Sequence, residues 1–268
     1  MATSLVGRFS YLQQIWDLRY FWSALVRLDL DNRYRNSFFG IGWSLLRPMA
    51  MTAVFCVVFG KLFNLSLAEY APHLIVGMTV WQFFTESLVV GCNTFTAGAA
   101  YIRQQQIPLA IFPLRTALGT GFHSLIALGM AISVTGFFKG IDPVAMLSLI
   151  PAIMILFLLS WCLAIVSGFA FTHFPDTSHL LEIGLQVLFY ATPILYSATS
   201  FAGSRGHVTF VLEWNPLTSI IALVRVPIVD GTLPSMQQYG MSLAFLGVVA
   251  TIALVLLRKL ERNLVFWV

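Results

Sequence analysis

Long apolar runs alternate with short polar connections along most of the chain. Five runs reach the roughly 20 residues that a helix needs to cross about 30 Å of hydrocarbon, at about 38–62, 72–97, 114–138, 144–171 and 237–257. A sixth run, at about 180–198, contains the sequence LQVLFYATPILYS. The pattern therefore predicts an all-α integral membrane protein with six transmembrane helices.

Two further segments have a different pattern. Residues 8–30 repeat apolar side chains at spacings of three and four with arginines between them, which is typical of an amphipathic helix lying in the membrane interface. The alternative is a short soluble helix packed on a partner. Residues 205–232 contain apolar pieces of only about 10–13 residues, too short to cross, and predict a re-entrant or interfacial helical pair before the last span.

Composition and charge placement support this organisation. The chain is 58% hydrophobic and 10% charged with a mean hydropathy of +0.84, whereas a soluble domain carries about 25% charged residues. With both termini inside, eleven Lys and Arg residues fall on the cytoplasmic side and four on the outer side. We therefore expect an interface helix and basic collar over 1–36 and a six-span domain over 37–268, with no nucleic-acid partner.

Charges inside the spans are rare and indicate function. Glu86 lies well inside the second predicted span, and Arg47 enters the first span from the same side at about the same depth. We predict that Arg47 and Glu86 pair within the membrane, or that Glu86 faces a hydrated pathway. Arg115 is the alternative partner for Glu86.

Four stretches also carry a family resemblance, in order along nearly the whole chain. They are NRYRNSFFGIGWSLLRPMAMTAVFCVVFGKLF, YIRQQQIPLAIFPLRTAL, FPDTSHLLEIGLQVLFYATPILYS and WNPLTSIIALVRVPIVDGTLP. Together they resemble the ABC-2-type permeases that export lipid-linked polysaccharide such as O-antigen, capsule and teichoic acid. The chain departs from the family at Pro175, where an Arg more often precedes the Asp.

The resemblance implies a transport subunit in the bacterial inner membrane and not an enzyme. Two copies would form the pathway for a polyprenyl-diphosphate-linked polysaccharide, and two separate ATPase subunits would use the ATP. The sequence agrees, because it contains no G-x-x-x-x-G-K-[ST] phosphate loop. We expect no cofactor on this chain, and the partners to be the ATPase, a second copy, the glycan lipid and membrane lipid.

Aromatic and basic residues supply candidates for binding the substrate. Rings that stack on sugar faces would let a polymer slide, although aromatics also form interfacial belts; the pathway candidates are Trp81, Phe84, Tyr190 and Tyr196. Cations near the cytoplasmic surface suit a lipid diphosphate, although they also satisfy the positive-inside rule; these candidates are Arg33, Arg35 and Arg47.

Two other groups are candidates for coupling and gating. Stiff cytoplasmic segments could transmit ATPase closure, although their prolines also simply end helices; these candidates are Arg103, Pro108, Pro113 and Asp176. The outward segment could close the outer mouth or contact the departing glycan, although a solvated interfacial role is equally open; these candidates are Glu213, Asn215, Pro216 and Arg225.

Two alternative functions stay open. An ABC-2 permease could carry another amphiphile, such as a lipid or drug. A membrane-embedded enzyme acting on a polyprenyl phosphate is disfavoured, because Asp29, Asp31 and Asp176 are scattered and form no metal–diphosphate motif. A secondary carrier is weaker still, since no repeat relates the two halves.

Overall fold

The computed structural model describes residues 11–35, 37–63, 66–105, 107–196, 214–261, 264 and 267. These residues form helices and connections, with no strand among them. The helices are α1 (Arg19–Tyr34), α2 (Gly42–Phe63), α3 (Leu67–Cys92), α4 (Ala99–Gln104), α5 (Ile111–Lys139), α6 (Pro143–Leu147), α7 (Leu149–His173), α8 (Thr177–Ala191), α9 (Pro216–Arg225) and α10 (Met236–Leu260). The predicted all-α fold is confirmed.

Five helices within the described residues are long and apolar enough to cross a membrane. They are Gly42–Gly60, Leu67–Cys92, Ile111–Lys139, Pro143–His173 and Met236–Leu260. The second begins and ends five residues earlier than the predicted 72–97. Its early start includes Glu69, a carboxylate in the first turn that interacts favourably with the helix dipole. The residues from Asn93 to Gly98 form turns instead.

The sixth predicted span is not a long helix. Helix α8 has 15 residues, about 22 Å at 1.5 Å per residue, and ends before Thr192 and Pro193. This length falls short of the roughly 30 Å hydrocarbon core. The predicted segment 180–198 is thus helical in its first part and irregular from Thr192 to Tyr196, while its last two residues lie outside the described chain.

Contacts of α7 with α10 and with Trp267 beyond it nevertheless show that the chain segment linking α7 to α10 crosses the bundle from one end to the other. Tyr239 donates to the backbone oxygen of Ser148 at one end, and the rings of His173 and Trp267 stack 5.0 Å apart at the other. Helices α7 and α10 are therefore parallel, and the chain must return between His173 and Tyr239. The described part of this return comprises α8, residues 192–196 and the residues from 214 onwards.

The described parts near both termini lie at one end of the bundle. The hydroxyl of Tyr11 donates to Glu261 at 2.8 Å. We call the end containing Tyr11, His173 and Glu261 the terminal end, and the end containing Ser148 and Tyr239 the far end. An even number of passages follows from this arrangement, whatever the form of each passage.

Helix α3 is the centre of the core and packs on α2, α5, α7, α8 and α9. Gly91 permits a close approach of α3 to α7, since a Cβ there would lie 2.8 Å from the backbone of Ala164. Helix α2 contrasts with α3, because most of its apolar surface is exposed, including Val54, Val57 and Val58. The core therefore forms behind α2, which packs on α3 and α5 along one side only.

The N-terminal segment is helical as predicted and extends beyond residue 30. Residues 11–17 are helical, and α1 continues from Arg19 to Tyr34. Ile15 and Leu25 are buried, with Ile15 in a cluster that includes Phe112 and Leu264. One face of this segment thus covers the terminal end of the bundle. Its predicted position in the membrane interface remains a prediction.

Candidate transport pocket and terminal groove

Helices α2, α3 and α5 enclose a pocket of about 450 Å³ in the half of the bundle nearer the terminal end. We call it the polar pocket. It is lined by Arg33, Trp43, Ser44, Leu46, Ala50, Thr79, Gln82, Phe83, Glu86, His123, Ser124 and Ala127. Gln82 and Glu86 lie one turn apart on α3 and present both polar side chains to the same side.

Hydrogen bonds and one ion pair organise the lining. The Gln82 amide donates to Glu86 Oε1 at 3.0 Å, and Arg33 Nη2 lies 4.0 Å from the same oxygen. Across the pocket, Ser44 Oγ is 3.2 Å from His123 Nδ1. Among the described lining residues, the two formal charges are thus opposite and adjacent, and the other polar groups are an amide, an imidazole and hydroxyls.

The predicted pairing of Arg47 with Glu86 stays a prediction, because the side chain of Arg47 lies outside the described part of the chain. Arg33 is the described cation nearest to Glu86. The alternative partner Arg115 is wrong for Glu86. Its Nε and Nη2 instead form a bidentate ion pair with the Asp29 carboxylate on α1. Arg115 can reach Asp29 because it lies in the second turn of α5, at the terminal end.

A second concavity, of about 760 Å³, opens at the terminal end. We call it the terminal groove. Its lining is Tyr11, Gln14, Ile102, Arg103, Gln104, Gln105, Ile107, Pro108, Leu109 and Glu261. Two predicted coupling residues, Arg103 and Pro108, lie here. The groove therefore combines the N-terminal helical segment, the connection between α4 and α5, and the end of α10.

One carboxylate joins the three segments of the terminal groove. Glu261 Oε1 accepts from the Tyr11 hydroxyl at 2.8 Å and from the Leu109 backbone N–H at 3.0 Å. The Tyr11 oxygen in turn accepts from the Ala110 N–H at 3.4 Å. Burial and the Glu261 carboxylate raise the pKa of Tyr11 above its ordinary value, so the phenol keeps the proton that it donates.

The other two predicted coupling residues lie outside this groove. Pro113 is buried in the first turn of α5, where its missing N–H costs no helical hydrogen bond. Asp176 is exposed in the turn between α7 and α8, and its side chain does not cap α8. A role for either residue in coupling stays a prediction.

Towards the far end, α9 is fastened to the irregular segment that follows α8. Asn215 donates to the Thr192 hydroxyl at 3.2 Å, and Arg225 Nη1 donates to the Pro193 oxygen at 2.8 Å. Tyr70 of α3 donates to the Leu195 oxygen at 2.7 Å. We call these five residues and Leu195 the far-end junction. It contains two of the predicted gate residues.

The remaining gate candidates have different positions. Pro216 is the first residue of α9, where Asn215 caps the helix by accepting from the Leu217 N–H at 3.0 Å. Glu213 lies outside the described residues, as does the first half of the predicted helical pair. The second half is α9 and its continuation as a π-helix from Val226 to Asp230.

The four predicted pathway aromatics divide into two groups. Trp81 and Phe84 are buried in the core, 8% and 7% exposed, with their ring centroids 5.8 Å apart. In this conformation neither ring is open to a substrate. Tyr190 is 62% exposed on α8, and the Tyr196 hydroxyl donates to its backbone oxygen at 3.2 Å. Contact of these two tyrosines with a glycan stays a prediction.

The sequence patterns missed several residues that the sites depend on. Glu261 stands in the basic stretch RKLERN, which reads only as a positive-inside signal. Tyr11 falls within the amphipathic pattern of residues 8–30, where a tyrosine suits the apolar face, and His123 is a lone histidine in an apolar span. A tyrosine on an apolar helix face and a lone acid among basic residues are weak signals, since each finds its partner only through tertiary contacts.

A multi-span helical bundle with a polar pocket between its helices and a groove at the terminal end has the construction of a membrane transport subunit. The family comparison is specific on this point. A model of the ABC-2 type transporter family matches residues 20–229. The chain belongs to this family.

Curated relatives match almost the full chain. Two proteins of Klebsiella pneumoniae, each named O-antigen export system permease protein RfbA, are 27% identical to it. The aligned regions cover 88% and 93% of this chain and 91% and 96% of the relatives. A Myxococcus xanthus protein of the same name is 23% identical over 89% of this chain and 91% of its own length.

Proposed function

We propose that this chain is the transmembrane subunit of an ATP-driven exporter for lipid-linked polysaccharide. The observation that carries the proposal is the near full-length match to three relatives that are all named as O-antigen export permeases. The substrate would be a glycan attached to a polyprenyl diphosphate, which passes from the cytoplasmic to the outer side of the bacterial inner membrane.

The sequence and the terminal groove both support a separate ATPase partner. The chain contains no phosphate-binding loop for ATP, so hydrolysis must occur on another subunit. Arg103 is exposed beside the groove, and Pro108 stiffens its wall. Because the groove joins three segments through Glu261, a force applied to it is passed to the ends of α5 and α10 together. We assign ATPase docking to this groove.

Charge placement supports the orientation. The terminal end carries the described cations Arg19, Arg103, Arg115 and Arg258, and such residues stay on the cytoplasmic side. Both described chain ends lie there. We therefore place both termini in the cytoplasm and the far-end junction towards the outer side.

A second copy of the chain would complete the pathway. Helix α2 exposes apolar side chains along most of its length, from Trp43 to Val58, and it flanks the polar pocket. An apolar helix with one packed side can face lipid or another subunit. In the proposed homodimer, two such helices meet lipid and each other around the pathway, and two ATPase subunits bind the two terminal grooves.

The test is ATP hydrolysis by the chain purified together with the ATPase encoded beside it and reconstituted in lipid vesicles. We expect the two proteins to co-purify, and a polyprenyl-diphosphate glycan to stimulate hydrolysis. An ATPase variant lacking the phosphate-loop lysine is the control. Stimulation by a drug or simple lipid, with none by the glycan, would show the alternative ABC-2 substrate. Failure to bind the ATPase would contradict the transporter proposal.

Arg103→Ala sharpens this test. Loss of this exposed cation should weaken ATPase binding, whereas Arg258→Ala at the end of α10 removes a cation that does not line the groove. Co-purification yield and the salt dependence of binding are the measurements. Equal weakening by the two substitutions would mean that general positive charge, and not the groove, recruits the ATPase.

A further inference from the structure

The polar pocket has the chemistry of a site for a neutral, hydroxyl-rich ligand. Its polar lining includes an amide, a carboxylate, an imidazole and three hydroxyls, which offer both donors and acceptors. Its volume of about 450 Å³ lies within the range of about 300–1,000 Å³ that is usual for small-molecule sites. A lipid tail would form no hydrogen bonds with these polar groups and would displace the water around them, so an apolar ligand is disfavoured.

The charge balance of the lining argues against a phosphate in the pocket. Arg33 could attract an anion, but the Glu86 carboxylate lies 4.0 Å from its guanidinium and would repel one. Among the described lining residues, Arg33 and Glu86 are the ones that carry a formal charge. Arg35, just beyond the end of α1, is exposed and is not among the lining residues of the pocket. A diphosphate is better accommodated outside the pocket than within it.

A sugar ring is rich in hydrogen-bonding groups and carries no charge, so it suits both the polar lining and the charge balance of the pocket. Each hydroxyl both donates and accepts, so it can bond the Gln82 amide and the Glu86 carboxylate, which are already fixed by their own 3.0 Å hydrogen bond. Trp43 is 53% exposed and forms part of the wall, where an indole face can lie against sugar C–H groups. Arg33 of α1 is among the lining residues, which places the pocket in the cytoplasmic half of the bundle in the proposed orientation.

We infer that the polar pocket binds a sugar unit of the lipid-linked substrate, the unit next to the diphosphate. This inference rests on the proposed export function and adds that the permease itself recognises the first sugar. Gln82, Glu86, Ser124 and Trp43 are the recognising residues. The diphosphate stays at the surface, so sugar and diphosphate are read by different parts of the chain.

Binding measurements on the purified exporter in lipid nanodiscs, without ATP, test the inference. The two probes are farnesyl diphosphate and the same lipid carrying N-acetylglucosamine. We expect the wild type to bind the sugar-bearing probe about tenfold more tightly, or about 1.4 kcal/mol. Gln82→Leu should remove this preference and leave the affinity for farnesyl diphosphate within about twofold. Thr85→Val, on the same helix but outside the pocket lining, should keep the preference.

Two results would overturn the inference: equal binding of both probes by the wild type, or a preference that survives in Gln82→Leu. Should Gln82→Leu fail to fold, Ser124→Ala decides, with Ser133→Ala on the same helix as its control. Glycan-stimulated ATP hydrolysis in the same preparation separates the two proposals. Stimulation of ATP hydrolysis without a preference for the sugar-bearing probe would contradict only the sugar-binding role of the pocket. A preference for that probe without stimulation would contradict only the proposed export function.

Discussion

Two junctions connect distant parts of the chain, one at each end of the bundle, and they use charge differently. At the terminal end, Glu261 has two donors, Tyr11 and the Leu109 N–H, and lies beside an open groove. Towards the far end, Arg225 donates once, to Pro193, while its Nε and Nη2 are buried without a partner among the described residues. One charge is satisfied and close to water. The other is buried and has one hydrogen bond within the described residues.

The difference in hydrogen bonding between Glu261 and Arg225 indicates that the first residue stabilises the fold and that the second serves function. A carboxylate that accepts two hydrogen bonds near solvent stabilises the fold at little desolvation cost. A buried guanidinium with unsatisfied N–H groups costs stability that an apolar side chain would not. We therefore expect Glu261 to matter mainly for assembly of the terminal groove, and Arg225 to be retained for movement or substrate passage at the far-end junction.

The largest expected effect is that of Gly77→Ala. A Cβ at this position would overlap Arg225 Nη2 and lie 3.4 Å from Ile194, so the guanidinium must leave the Pro193 oxygen. Separating these buried partners should lower the free energy of unfolding by about 2–4 kcal/mol. Chemical denaturation in detergent measures it. Gly129→Ala is the control, since that helical site has open space and should gain about 0.5–1 kcal/mol.

A double substitution sharpens the same comparison. In an Arg225→Met background the guanidinium is gone, so Gly77→Ala should cost less than about 1 kcal/mol. Arg225→Met alone should change the free energy of unfolding little, because it removes a buried charge together with its one described hydrogen bond. We expect it to lower the rate of export. An unchanged cost of Gly77→Ala in that background would show that the contact with Arg225 is not the cause.

The terminal junction should give a smaller effect. Glu261→Ala removes the acceptor of both Tyr11 and the Leu109 N–H and should destabilise by about 1–3 kcal/mol, because these groups lie in a partly wet groove. Tyr11→Phe removes one donor and should cost about 0.5–1.5 kcal/mol. Protease protection of the N-terminal helix is a second measurement. A larger loss for Tyr11→Phe than for Glu261→Ala would refute the central role of the carboxylate.

Two ion pairs near the terminal end should differ in strength, and one of them should give the smallest effect. Arg115 donates to Asp29 through two nitrogens, and its side chain is 14% exposed. Arg115→Ala should therefore lower the free energy of unfolding by about 1–2 kcal/mol. Arg33 is 47% exposed and 4.0 Å from Glu86, so Arg33→Ala should change stability by less than about 0.5 kcal/mol. Thermal unfolding of the purified chain compares them. Similar losses for both would mean that geometry and exposure do not set the strength of these pairs.

Much of the fold follows from the sequence, because five spans depend on length and apolar composition alone. Helix α8 shows where that logic stops. The apolar run 180–198 is long enough to span, but Thr192, the residue before Pro193, has an extended backbone and ends the helix early. Apolar composition cannot reveal that a neighbouring segment binds the backbone at this point.

The candidate sites were less predictable for the same reason. Asn215 and Arg225 could be selected as polar residues in an apolar setting, yet their partners Thr192 and Pro193 lie 23 and 32 residues away. Arg33 and Glu86 could likewise be recognised singly, whereas their proximity depends on how α1 meets α3. Side chains that act through tertiary contacts leave no local spacing to detect.

The bond between Tyr11 and Glu261 also sets an order of events during synthesis. The two residues are 250 positions apart, so the N-terminal segment leaves the ribosome long before its partner exists. The terminal groove can close only after the last span has been made. A protein that recognises this groove therefore meets finished chains and passes over truncated or stalled ones.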